Sequence, residues 1–274
     1  MTDRQNTRPA GRQAMEAAEI ARLARRAIAV LAADRPGRAD SVTLRLKQLC
    51  DAFLSAEEEQ RHEMLMRLRQ DGVTTDEIID HVVPATAAMM GERWFADEIS
   101  FAHVTIGAAR LQEAVRALGW RDPSQVHGLV SAPSILIVIP RGEDHTLGAF
   151  VLADQLRRRG YQVDMAIDRF PRQIAEMLRK RRYCMVGITV SGRRTLASAK
   201  ELVDIIRLTV TRVTPVIIGG AILDKGYDTL TLTGADHTAR DASAALRRCG
   251  LDAVVQGAAP QELENAAGMR LDRL

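Results

Sequence analysis

Apolar residues recur at helical spacing over the first half of the chain, between residues 41 and 119. No stretch of this half shows the alternation of apolar and polar residues, or the short unbroken apolar run, that is typical of a strand. The predicted helices extend from Leu44 to Leu54, Ala56 to Leu68, Thr75 to Met90 and Ser100 to Leu118. Thr74 and Thr75, followed by acidic residues, are typical of a capped helix start. Four helices with short connections predict a helical bundle.

The second half of the chain instead alternates unbroken apolar runs with helical patterns. Strands are predicted over Ile135 to Ile139, Val163 to Ile167, Met185 to Val190 and Val216 to Ile218. Helices are predicted over Leu147 to Arg158, Pro171 to Arg181, Thr195 to Leu208 and Ala242 to Arg248. Because these strands are apolar throughout, they favour a parallel sheet covered on both faces. The fold class is therefore α/β, a helical bundle cap followed by a Rossmann-like, doubly wound parallel sheet.

Changes in composition divide the chain into four segments. Residues 1–40 are expected to form a leader, partly flexible, with one extra helix near Ile20 to Leu31. Residues 41–122 form the bundle, and a polar linker around Pro123 leads to the Rossmann-like domain at 130–250. Residues 251–274 form a C-terminal tail, in which Ala253 to Val255 suits a short strand or a packed segment.

Composition excludes several classes of protein. The 274 residues are 46% hydrophobic and 27% charged, which is ordinary for a globular protein and excludes a fibre or a disordered chain. The 38 basic and 35 acidic residues nearly balance, and no helix-turn-helix is visible, so direct DNA binding is not expected. With no apolar span and no signal peptide, we expect a cytoplasmic protein without membrane contact. The oligomeric state is left open by the sequence.

Candidate chemistry is concentrated in the turns that follow the predicted strands, where ligands of open parallel sheets bind. After the first strand, Glu143 precedes His145 by two residues and Gly148 follows by three, with Asp144 and Thr146 in the same turn. Such a histidine can coordinate a metal while its other ring nitrogen donates to the carboxylate. A glycine at position 148 leaves room for a bulky group.

Two further turns carry small polar residues and glycines. Thr189 and Ser191 follow the third strand, and Gly219 and Gly220 follow the fourth. Paired glycines at a strand end favour the close approach of a flat group to the backbone.

Together these turns resemble the (Asp/Glu)xHxxG, SxL and GG signature of cobalamin-binding domains. The resemblance implies cobalamin as cofactor and His145 as the lower ligand of cobalt, in place of the dimethylbenzimidazole base. It also implies that the nucleotide tail enters a slot beside the Thr189 and Gly219–Gly220 turns. The chain departs from the signature by carrying Thr189 in place of the serine and Ser191 in place of the leucine, which keeps a hydroxyl but makes the lining more polar.

In the helical half, Trp94 through Gln112 resembles the segment of helical cap domains that covers the upper face of the corrin. In cobalamin-dependent MerR-type light sensors, nine residues separate the tryptophan from Glu-His, whereas here Val104 and Thr105 stand in that place. His103 is then the nearest candidate for an upper ligand, although a core or solvent role is favoured for it. This variant is similar to the AerR/PpaA family of purple photosynthetic bacteria.

That resemblance implies a non-catalytic, light-responsive regulator that binds cobalamin in an adenosyl or hydroxo form. Its implied partner is a CrtJ/PpsR-type repressor of photosystem genes, on which it acts as an antirepressor. Two alternatives share the architecture: a corrinoid carrier protein of a methyltransferase system, and a haem-binding sensor in which His145 binds iron.

Overall fold

The computed structural model describes residues 39–119, 132–210 and 214–251. The chain divides into two compact units, residues 1–120 and 121–274, and each is described by itself. The predicted helix at 20–31, nearly all of the leader and tail, and the strand predicted at 253–255 lie outside the described residues. No helix in the described ranges is long and apolar enough to cross a membrane.

The N-terminal unit is helical, as predicted. Its α-helices are α1 (Ala39–Leu54), α2 (Glu58–Gln70), α3 (Thr75–Glu77), α4 (Val83–Phe95) and α5 (Phe101–Gly119), with a π-helical turn at Ile78–Val82 between α3 and α4. The capped start predicted near residue 74 is confirmed, because Thr74 and Glu77 form a reciprocal capping box.

The prediction of a single helix from Thr75 to Met90 is wrong in its detail. A π-helical turn interrupts the helix, and α4 continues to Phe95. Pro84 lies in the first turn of α4 and has no backbone N–H to donate. A wider turn before the proline accommodates the missing hydrogen bond. The apolar spacing carries no sign of this change, since it stays helical throughout.

Long-range contacts hold α1 against α4 and α5. Leu49, Phe53, Ile79 and Leu111 are each at most 2% exposed and form part of the core of this unit. Arg110 on α5 donates to three carbonyls at the end of α1, those of Phe53, Leu54 and Ser55, at 2.9, 3.0 and 2.5 Å. These bonds satisfy the carbonyls that a helix end leaves without intrahelical partners.

The C-terminal unit alternates strands and helices. Its strands are β1 (Ser134–Ile139), β2 (Gln162–Ile167), β3 (Met185–Thr189), β4 (Val216–Gly219) and β5 (His237–Thr238). Its helices are α6 (Leu147–Arg158), α7 (Pro171–Lys180), α8 (Arg193–Thr209), α9 (Thr229–Thr233) and α10 (Ala242–Arg248), with a 3₁₀ turn at Ala221–Asp224.

The five strands form one parallel sheet in the order β2-β1-β3-β4-β5. The predicted α/β fold class, a parallel doubly wound sheet after a helical region, is confirmed. Strand β1 is an interior strand between β2 and β3, and its residues from Ile135 to Ile139 are at most 1% exposed, which accounts for their unbroken apolar run. The order reverses between β1 and β3, and ligands of such sheets bind at the carboxyl ends of the strands beside that reversal.

Asp236 joins the entry of β4 to that of β5. Its Oδ2 accepts from the backbone N–H of Val216 at 2.7 Å and from Arg207 at 2.5 Å. Burial opposes ionisation, but the ion pair with Arg207 and the bond from Val216 outweigh it and lower the pKa of Asp236. A carboxyl with a lowered folded-state pKa contributes stability above its unfolded pKa, and that stability is lost as the pH falls through the folded pKa.

We therefore expect Asp236→Asn to lower the free energy of unfolding by about 1 kcal/mol at neutral pH, since the pair is partly exposed. The difference from the unsubstituted chain should shrink below about pH 4, where the unfolded carboxyl takes up its proton. Urea unfolding of both chains at pH 7 and pH 3 measures this difference in the free energy of unfolding. Asp204→Asn, in the exposed Lys200–Asp204 pair, is the matched control and should change stability by less than about 0.5 kcal/mol. An equal difference at both pH values would contradict this account.

Candidate functional site

The loop between β1 and α6 lies at the carboxyl end of β1, beside the reversal in strand order. It carries Glu143 and His145, and the turn after β3 brings Ser191 to the same place. The topology thus brings together two turns that are about 50 residues apart in the chain, as predicted for turns that follow neighbouring parallel strands.

Glu143 is the centre of this site, because five hydrogen bonds end on its carboxylate. Oε1 accepts from the backbone N–H of His145 at 3.0 Å, from its ring Nδ1 at 3.1 Å and from Ser191 Oγ at 2.6 Å. Oε2 accepts from the Ser191 backbone N–H at 2.8 Å and from Thr195 Oγ1 at 3.0 Å. A carboxylate offers about four lone-pair positions, so these donors occupy its whole capacity.

The side chain of Glu143 is only 2% exposed, yet it is ionised. Burial alone would raise its pKa, but the hydrogen bonds from His145 and Ser191 outweigh burial and lower the pKa of Glu143 to about 2. A carboxylate surrounded by donors has no proton to give. The bond to the imidazole therefore places the ring hydrogen on Nδ1 of His145, which leaves Nε2 with a lone pair.

His145 presents that lone pair outward, since its side chain is 78% exposed while its partner Glu143 is buried. The bond to Glu143 raises the pKa of His145 and makes the imidazole a more basic ligand. Asp144 is exposed beside it, and Thr146 immediately precedes α6. A Cβ added at Gly148 would meet no atom of the described residues within 4 Å, so that side is open to a bulky group.

A second part of the site lies around Val190, between the ends of β3 and β4. Thr189 Oγ1 is buried and has no hydrogen-bond partner within the described residues. Gly220 has φ +95°, and a Cβ there would lie 2.6 Å from the Val190 carbonyl oxygen. At Gly219 a Cβ would lie 3.1 Å from the Ala239 carbonyl oxygen. A buried hydroxyl without a partner costs free energy, and it fits a site where a ligand supplies the missing group.

Two residues of this network were missed by the sequence reasoning. Thr195 lies in the first turn of α8, where a hydroxyl after a central strand is a weak signal of a site. Lys225 donates from Nζ to the Ser191 carbonyl oxygen at 2.6 Å, and nothing in its sequence context pointed to that contact. Ser191, expected to line a slot, instead turns its hydroxyl to Glu143.

The residues singled out in the helical unit lie together on the α4–α5 hairpin. Trp94 packs its ring 5.9 Å from that of Phe101, and both remain exposed, at 41% and 64%. His103 is exposed, with Nδ1 2.8 Å from Ser100 Oγ at the start of α5. Val104 is half-buried, and Thr105 donates to the Phe101 carbonyl oxygen at 3.0 Å.

Within the described ranges, no three His, Cys, Asp or Glu residues cluster to hold a metal ion. His145 therefore stands as a single donor, which suits a metal whose remaining ligands come from a macrocycle rather than from protein.

Comparison with protein families matches residues 133–248 to the B12 binding domain. Over 171 residues the chain is 33% identical to a protein of Rhodobacter capsulatus described as an uncharacterized 20.5 kDa protein in the bchF-crtJ intergenic region. That alignment covers 62% of this chain and 89% of the relative.

Among solved structures, the chain resembles the monomethylamine corrinoid protein of Methanosarcina barkeri, with a TM-score of 0.60 and 19% identity over 77% of this chain and 99% of that one. A cobalamin-binding protein of Desulfitobacterium hafniense matches at a TM-score of 0.40 and 20% identity, over 75% of this chain and 97% of that one. At these identities the first likeness supports the fold.

Proposed function

The chain belongs to the family of the Rhodobacter capsulatus bchF-crtJ intergenic protein and carries a B12 binding domain, and from this premise we propose that it is a light-responsive, cobalamin-dependent regulator of transcription. The observation that carries the proposal is the exposed imidazole of His145 held by the buried carboxylate of Glu143. A regulator of this kind has no catalytic residues, and we propose none.

In this assignment His145 Nε2 would hold cobalt as its lower ligand. The buried hydroxyl of Thr189, which has no partner within the described residues, and the backbone at Gly220 would receive the nucleotide tail. When bound, the cofactor supplies a cobalt–carbon bond that light can break. The chain itself orients the imidazole, keeps its hydrogen on Nδ1 and excludes water from Glu143.

As the resemblance implies, we propose that residues of the α4–α5 hairpin would contact the cofactor. Four exposed apolar side chains support this, namely Trp94, Phe95, Phe101 and Ile106. Clustered exposed aromatics of this kind mark a surface that another group covers. His103, at the start of α5, is the residue of this unit that would supply an upper ligand.

The proposed output is altered binding to a CrtJ/PpsR-type repressor. A cofactor can shift a conformational equilibrium only if it binds two states with different affinity. Residues of this chain that would contact the light-sensitive group of the cofactor in one state alone would provide that difference. The relative's gene lies in an interval bounded by crtJ, which supports a shared regulatory partner.

Absorption spectra of the purified chain with adenosylcobalamin, before and after illumination, test the proposal. We expect a base-off corrin spectrum that changes irreversibly in light, together with a light-dependent change in affinity for the repressor. A methylated form that transfers its methyl group to a partner methyltransferase in the dark, with no light-dependent change in affinity for the repressor, would instead support a corrinoid carrier. A Soret band from the protein as purified would support a haem sensor.

A further inference from the structure

A row of basic side chains lies on the exposed face of α7 and continues into the loops at the carboxyl ends of β1 and β2. The helix buries Ile174, Ala175 and Leu178, and residues three or four apart share a face, so the basic positions lie on the opposite side. Arg141, on the loop after β1, adjoins them through its contact with Phe170. The row, which we call the α7 stripe, consists of Arg141, Arg169, Arg172, Arg179 and Lys180, all exposed.

The charge of the α7 stripe is unbalanced. Two acidic residues, Asp168 and Glu176, lie among its five basic ones, and the excess equals the formal net charge of +3 of the whole chain. Asp168 pairs with Arg141, while the other four basic residues of the stripe form no ion pair within the described ranges. By contrast Arg181, next along the chain, is paired with Asp164 at 2.9 Å. Such a concentration of unpaired charge attracts a partner of opposite charge.

Phe170 adds an apolar contact to this charged surface. Its ring is 46% exposed, with the Arg141 guanidinium 3.8 Å and the Arg172 guanidinium 5.8 Å from the ring centroid. Cation–π contacts of this kind hold the guanidinium groups in place beside the ring. Aromatic and arginine side chains are enriched in the interfaces of protein complexes. The three side chains therefore form a contact surface that is already arranged for a partner.

The mixture of charges indicates the class of partner. A nucleic acid presents phosphates of a single sign, which Asp168 and Glu176 would repel. A protein segment can instead place carboxylates against the arginines and a basic or polar side chain against Glu176. The acidic residues within the α7 stripe thus favour a protein.

We propose that the α7 stripe and Phe170 bind an acidic segment of the repressor. The inference rests on the proposed function for the identity of the partner, and it goes further by naming the surface that this partner contacts. The surface adjoins the proposed cofactor site, because Arg141 and His145 belong to the same loop between β1 and α6.

The double substitution Arg169→Glu and Arg172→Glu tests the inference in the full chain loaded with cobalamin. Titration against the purified repressor, in the dark and after illumination, measures the affinity. We expect a loss of roughly tenfold or more at low salt, and a weaker dependence of the remaining affinity on salt. Acidic residues are favourable near the start of a helix, so α7 should remain folded. The absorption spectrum of bound cobalamin should not change, because neither arginine belongs to the cofactor site.

Phe170→Ala tests the apolar contact separately. The backbone N–H of Phe170, which donates to Gln173 at 2.9 Å, is kept in this variant, so the start of α7 should be preserved. We expect affinity for the repressor to fall by roughly fivefold or more, as for an aromatic residue at the centre of an interface.

Arg247→Glu with Arg248→Glu is the matched control, because it makes the same change of charge at exposed positions of α10, which packs against α6. It should leave the affinity within about twofold of that of the unsubstituted chain. Circular dichroism of each variant ensures that only folded chains are compared.

An affinity that is unchanged in the α7 double variant, or lowered equally in both double variants, overturns the inference and leaves the proposed function standing. Binding of a DNA duplex of unrelated sequence that the α7 double variant loses also overturns it, in favour of a nucleic acid. If the unsubstituted chain does not bind the repressor in the dark or in the light, the inference and the proposed output both fail.

Discussion

Replacing His145 with alanine is expected to abolish the His-on form of the bound cofactor. The change removes the imidazole whose Nδ1 is bonded to the buried carboxylate of Glu143 and whose Nε2 is left with a lone pair. Loss of an outer partner alone weakens metal sites by roughly 10-fold to 100-fold, so loss of the ligand itself should weaken cobalamin binding by at least about 100-fold. The fold should remain, because the side chain is 78% exposed and packs little.

Absorption and electron paramagnetic resonance spectra of the loaded variant measure this effect, and calorimetry measures the affinity. His62→Ala is the matched control, since His62 is an exposed histidine of α2 outside the site. Nitrogen splitting that persists in His145→Ala would show that another group holds cobalt. Equal losses in both variants would point to a general disturbance instead.

Much of the fold could be predicted because its signals are local. The unbroken run at Ile135 to Ile139 and the amphipathic stretch at Leu147 to Arg158 each carry their own period, and α6 has the predicted bounds. β5, with two residues, and α9, with five, are too short to show any period. Pairing with β4 makes His237 and Thr238 a strand, which no local pattern indicates.

Only the contacts between residues close together in the sequence could be predicted at this site. Glu143 and His145 are only two residues apart, so their pairing could be predicted from the sequence. In the structure Glu143 Oε1 lies 3.1 Å from His145 Nδ1. The donors from Ser191 and Thr195 depend on β1 and β3 lying side by side, and on the rotamers that result. Such contacts are decided by tertiary packing, so a pattern along the chain does not contain them.

The proposed slot for the nucleotide tail adjoins Gly220, whose backbone conformation only glycine adopts without strain. Its φ of +95° lies in the left-handed region, and the Val190 carbonyl oxygen would be 2.6 Å from an added Cβ. Val190 cannot retreat easily, because its N–H donates to the Gly219 carbonyl at 2.9 Å and its carbonyl accepts from Ile222 at 3.0 Å. Both constraints act on backbone, which moves less readily than the end of a flexible side chain.

Gly220→Ala is therefore expected to destabilise the unit and to damage tail binding together. The left-handed conformation costs about 1–2 kcal/mol for a residue with a Cβ, and overpacking against backbone costs roughly 1–3 kcal/mol more. Urea unfolding measures the stability, and the ratio of the affinities for cobalamin and for tail-less cobinamide measures the contribution of the nucleotide tail to binding.

Gly226→Ala is the matched control, because Gly226 also has a positive φ, +70°, but a Cβ there meets nothing within 4 Å. It should show the conformational cost alone, with cobalamin still preferred over cobinamide. If Gly220→Ala also keeps that preference, the nucleotide tail lies elsewhere and the assignment of the slot is wrong.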